Sequence, residues 1–128
     1  MMPFPATEWQ FYQALLPGIA EEFIYRGVIL AYLDAHLGRS YKCLGVNWGW
    51  GAVLTTALFY FGHALGFDAD WNLQIDLFAI PDFLFYGLAM CWLRYRFKSF
   101  WPAALAHNIH NTLLPYGTNW VLSLLKTQ

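Results

Sequence analysis

Four apolar stretches divide this chain, at roughly residues 11–33, 48–67, 75–93 and 100–125. Each is close to the ~20 residues that a helix needs to cross a bilayer core of about 30 Å. The charges gather in the breaks: Arg39 and Lys42 after the first stretch, Asp68 and Asp70 after the second, and Arg94, Arg96 and Lys98 after the third. Backbone in lipid must satisfy its own hydrogen bonds, which leaves helices or a closed barrel. No dyad alternation is present, and four strands cannot close a barrel. The expectation is therefore an all-α fold, a multi-pass transmembrane bundle of about four spanning helices without strands. A length of 128 residues suits one domain.

Composition agrees. Apolar residues make up 59% and charged residues 12% of the chain, where a soluble domain has roughly half and a quarter. Seven Trp and eight Tyr suit two membrane–water interfaces. A net charge of −1 with no basic stripe gives no ground for a nucleic-acid partner. Cys43 and Cys91 form neither a disulfide framework nor a metal-ligand pair. The basic first and third loops share one face, which the positive-inside rule places in the cytoplasm. The expected setting is an integral, multi-pass position in a prokaryotic inner membrane.

Ionic groups within these stretches are the informative exceptions, since a charge at mid-bilayer costs roughly 3 kcal/mol. In Glu21-Glu22-Phe23-Ile24-Tyr25-Arg26, Glu22 and Arg26 stand four apart on one helix face and can pair. Glu21 points about 100° away and lacks that partner. One carboxylate held by Arg beside a free neighbour suits a general base. The alternative is a solvated cluster on an interfacial helix that starts at Pro17-Gly18. His63 closes the aromatic run Phe59-Tyr60-Phe61-Gly62, either as a hydrogen-bonded core residue or as a catalyst. His107 and Asn111 lie one turn apart and can present two donors to one oxygen, or else join helices by hydrogen bonds. His110 can line the same cavity edge. Asp82, after Pro81, reads as a helix-starting cap. No H-E-x-x-H is present, although two His and two Glu can ligate a metal where they converge. Taken together, helix glue does not require two Glu, an Arg and two His.

The three motifs, E-E-x-x-x-R at 21–26, F-x-x-x-H at 59–63 and H-x-x-x-N at 107–111, resemble those of the CPBP family of intramembrane proteases, which includes the type II CAAX prenyl endopeptidases. Residues 85–111 also resemble the family's closing segment, with Gly87, Arg94, Ser99 and Trp101-Pro102-Ala103. The resemblance covers residues 21–111. It implies that Glu21 and His63 bind and activate the attacking water, that His107 and Asn111 stabilise the oxyanion, and that Glu22 and Arg26 form the supporting pair. Phe59 and His110 fall on the substrate side. It implies no obligatory cofactor; a divalent metal such as Zn, if used, falls to Glu21, His63 and His107. The implied partners are the lipid bilayer and a membrane-anchored peptide or lipidated protein as substrate. A non-catalytic immunity or scaffold protein of the same fold is the alternative. The span edges drawn above place His63 and His107 on opposite sides of the midplane, which disagrees with one shared site.

Overall fold

The first apolar stretch folds as one continuous helical run that changes pitch midway. Helix α1 (Ala6–Glu22) passes into a π-helical segment (Phe23–Ile29) and then into α2 (Leu30–Leu37). In the π segment the backbone bonds reach five residues back, as when the Leu30 N–H donates to the Tyr25 carbonyl. Such segments are rare and concentrate at functional sites. This computed structural model describes residues 6–77 and 80–125; the side chains of residues 6, 7, 10, 82, 83 and 114–125 lie outside the description.

Pro17 does not start the helix, contrary to the interfacial reading, but sits inside α1. A proline there interrupts the helical ladder, and helix α5 (Trp101–Leu125) hydrogen-bonds to the backbone on either side of it. Asn108 Oδ1 accepts the Gly18 N–H at 2.8 Å, and its amide nitrogen donates to the Leu15 carbonyl at 3.1 Å. Gly18 is required by this contact, since a Cβ there would lie 2.4 Å from Asn108 Oδ1 and 2.5 Å from the Ala104 carbonyl.

The remaining elements are β1 (Tyr41–Cys43), β2 (Val46–Trp48), α3 (Trp50–Ala64), β3 (Leu65–Phe67), β4 (Leu73–Ile75), α4 (Ile80–Phe97) and α5 (Trp101–Leu125). The strands correct the expectation of none. They form two separate antiparallel hairpins, β1–β2 and β3–β4, in the segments between the helices. Leu44 and Gly45 close the first with φ of 49° and 76°, the double positive φ of a type I′ turn. Pro81 stands at the second position of α4, where a proline's fixed φ suits a helix start. The Asp82 side chain, expected as a cap, lies outside the described residues.

Among the described residues, no helix is long and apolar enough to cross a membrane. The expectation of four spans is met as four helical segments only. Helix α3 has 15 residues, or ~22 Å at 1.5 Å per residue. The second apolar stretch is shared between β2, α3 and β3, and α4 carries Asp82, Arg94 and Arg96.

Helix α1 packs on α5, α3 on α4 and on α2, and α4 on α5. A small apolar core, Leu30, Val46, Ala52, Cys91 and Tyr95, sits among α2, α3 and α4. Elsewhere the usual pattern is inverted. Glu22, Arg26, Thr55, Thr56, His107 and Asn108 are buried, whereas Phe11, Phe23, Val28, Leu58, Phe85 and Leu105 face outward.

Candidate active site

Glu21 and Glu22 end α1 and have different environments. Glu22 and Arg26 form an ion pair, Nη1 to Oε1 at 3.0 Å, with both side chains 0% exposed. Arg26 is clamped further. Its second terminal nitrogen donates to the Gly87 carbonyl at 3.2 Å, and its guanidinium lies 4.6 Å over the Phe59 ring. Gly87 meets α3 so closely that a Cβ would fall 2.6 Å from Thr56 Cγ2. Arg94 Nε, from α4, donates to the Arg26 carbonyl at 3.2 Å. The rare charge pair is thus held by three elements.

His107 reaches this pair from α5, its Nδ1 lying 2.9 Å from Glu22 Oε1. Glu22 is the salt-bridge partner of Arg26, so Nδ1 carries the proton and donates. His63, in the last turn of α3, places Nδ1 2.8 Å from the Phe59 carbonyl. A carbonyl only accepts, so this Nδ1 also carries a proton. In the neutral rings both Nε2 atoms are then acceptors.

Both Nε2 atoms face Glu21. His63 Nε2 lies 3.3 Å from Glu21 Oε2, and His107 Nε2 lies 3.8 Å from the same oxygen. The disagreement over midplane depth is thereby removed. Helix α3 begins at Trp50 and stops at Ala64, which brings His63 to the level of Glu21. The Glu21 and His63 side chains are about one-third exposed, at 32% and 33%. One half of the constellation is sealed, and the other half is open to an incoming molecule.

The other expected site residues separate into two groups. Phe59, expected on the substrate side, is buried at 1% exposure beneath Arg26 and against the His63 ring, with centroids 4.3 Å apart. It forms the floor of the site. His110 lies exposed on α5, its ring 4.7 Å from that of Tyr86, at the rim. Asn111 is half-buried and its amide makes no hydrogen bond among the described residues, so it is available to a ligand. Two residues escaped the sequence reading. Asn108 was passed over in favour of its neighbours, and the clue was Pro17, whose ladder defect calls for an outside amide. Tyr86 packs edge-on to His107, with centroids 5.5 Å apart, and its clue was the adjacent Gly87.

Among the described residues, no group of three or more His, Cys, Asp or Glu side chains is arranged to hold a metal ion, Glu21, His63 and His107 included. Both cysteines are free, Cys91 buried and Cys43 exposed. A cavity of about 290 Å³ is lined by Leu30, Asp34, Arg39, Arg94 and Tyr95 among others, with none of the motif residues in its wall.

The helical bundle thus buries one carboxylate on arginine and opens its neighbour toward two imidazoles. Residues 4–113 match the family model described as type II CAAX prenyl endopeptidase Rce1-like. The chain belongs to this family, which is a family of membrane proteases. No curated protein and no solved structure matches the chain.

Proposed function

We propose that this chain is an intramembrane endopeptidase that hydrolyses a peptide bond near the end of a membrane-anchored protein or peptide. The observation that carries this reading is the meeting of Glu21 Oε2 with His63 Nε2 at 3.3 Å and His107 Nε2 at 3.8 Å. Glu21 and His63 are close enough to share the proton of a protonated His63 Nε2, and a water lying beside the pair can donate to Glu21 Oε2. Water held by Glu21 and His63 keeps a lone pair free for a carbonyl carbon. Glu21 takes one proton as the new C–O bond forms and passes it to the departing amine as the C–N bond breaks. Asn111 donates to the oxyanion, and His107 contributes there when its Nε2 is protonated. Glu22 and Arg26 hold His107 in place, and His110 borders the substrate's path.

The inverted burial pattern supports a lipid setting. Outward Phe, Leu and Val side chains around a polar interior suit a multi-pass position in a membrane, in a prokaryotic inner membrane on this reading. Family membership supports lipidated or membrane-tethered C-terminal segments as the substrate class.

The test is cleavage by purified protein in nanodiscs, with prenylated and unlipidated membrane-anchored peptides analysed by mass spectrometry. Glu21→Gln and His63→Ala are each expected to lower kcat roughly 10²- to 10⁴-fold at unchanged thermal stability. Full activity in both variants rejects the mechanism.

A further inference from the structure

We propose that Tyr86 is a further catalytic residue, its hydroxyl donating to the scissile carbonyl oxygen as negative charge builds there. This inference rests on the peptidase reading above. It begins with an imbalance of donors and acceptors. An oxyanion needs hydrogen-bond donors aimed at it. In the open half of the site Glu21 Oε2 is an acceptor, His63 Nε2 is taken up with it at 3.3 Å, and His107 Nε2 is an acceptor in the neutral ring. His107 Nε2 donates only after taking up a further proton, because Nδ1–H is already committed to Glu22.

Tyr86 supplies a neutral donor beside His107. Its hydroxyl oxygen is buried and has no hydrogen-bond partner among the described residues. Most buried hydroxyls have one, and a phenylalanine would fill the same space without the orphaned group. The Tyr86 ring contacts His107 at 5.5 Å, His110 at 4.7 Å and Phe59 at 6.2 Å, and the hydroxyl feels the charges of Glu21, Glu22 and Arg26. Its backbone is held firmly. The next residue, Gly87, accepts from Arg26 and is pressed against Thr56. A rigidly mounted donor with no resident partner is complementary to a charge that appears only during the reaction. Phenols ionise far above neutral pH, so the hydroxyl remains a donor there.

The test compares wild type, Tyr86→Phe and Glu21→Gln in nanodiscs on one cleavable membrane-anchored peptide, together with binding of a peptidyl phosphinate that mimics the tetrahedral oxyanion. Loss of one such donor lowers kcat about 10²- to 10³-fold. The expected result for Tyr86→Phe is a fall of that order, KM within about twofold of wild type, and a comparable loss of phosphinate affinity. An unchanged kcat in Tyr86→Phe beside an inactive Glu21→Gln overturns the role of Tyr86 and leaves the peptidase reading intact. If wild type neither cleaves nor binds the phosphinate, the peptidase reading fails and the role of Tyr86 fails with it. Should Tyr86→Phe not fold, fluorotyrosines at this position decide: a rate that tracks phenol acidity supports the proposal, and one indifferent to it overturns it.

Discussion

Replacing Arg26 with methionine isolates what the sealed half of the site contributes. Methionine keeps the unbranched apolar stem as far as the position of Nε and removes only the guanidinium head. What disappears is the charge partner of Glu22, the hydrogen bond to the Gly87 carbonyl and the cation lying over Phe59. Both partners of the pair are 0% exposed, so water cannot take over the role of the guanidinium. Breaking a buried pair from one side costs about 3–5 kcal/mol, and we expect Arg26→Met to fall in that range. Adding Glu22→Gln removes the orphaned charge while keeping an oxygen for His107 Nδ1. The double variant is expected to recover about 1–3 kcal/mol, a coupling typical of contacting residues. Unfolding in mild detergent on titration with SDS, followed by tryptophan fluorescence, measures both values. A loss below about 1 kcal/mol in Arg26→Met, or a double variant no more stable than the single one, refutes the argument that burial makes this pair structural.

The amide bridge across Pro17 and the β3–β4 hairpin yield three more predictions. Asn108→Ala leaves the Gly18 N–H and the Leu15 carbonyl without partners and is expected to cost about 1–3 kcal/mol. Gly18→Ala, favourable by up to about 1 kcal/mol on helix propensity alone, should instead destabilise because its Cβ meets the Ala104 backbone carbonyl at 2.5 Å; thermal unfolding that shows a gain for Gly18→Ala rejects this packing. In the β3–β4 loop, the Asn72 backbone N–H is the largest influence holding the Asp68 carboxyl below its ordinary value, with the Asn72 and Gln74 side chains and the Asp70 N–H adding to it. The folded value lies below the unfolded one, so this contribution is present above the unfolded value of 3.8 and is lost as pH falls through the folded value. Amide exchange at Asp70 and Asn72 should therefore accelerate, relative to its intrinsic rate, on acidification below about pH 4, and protection that holds or rises contradicts the assignment.

The parts of the site legible in the sequence were those that depend on short-range helical geometry. Glu22 and Arg26 pair because four residues bring them to one face, and the free neighbour follows from the same geometry. The order of the motifs along the chain was also legible, and with it the prospect that three elements converge. The element edges were not. An apolar run does not reveal where a helix yields to a hairpin, so the stretch from 48 to 67 read as one span although its helix has 15 residues. The π-helical segment left no mark on the apolar pattern, because residues 23–29 are apolar around Arg26 whatever the pitch. Asn108 was hard to read because its partners, Gly18 and Leu15, lie some ninety residues away, and the hint lay in Pro17 rather than beside Asn108. Tyr86 was hidden because one aromatic among many gives no sign in sequence that its hydroxyl ends up alone.

The two neighbouring glutamates have a consequence for how such chains diverge. The buried acid that pairs with arginine and the half-open acid beside it are adjacent in the chain, and His107 lies against both. On the mechanism proposed above, a single-base codon change, Glu to Gln at position 21, silences the chemistry while leaving the arginine anchor intact. On that mechanism, descendants that bind the same substrate without cutting it are one mutational step from an active ancestor, and the identity of the first of the two acids distinguishes the two.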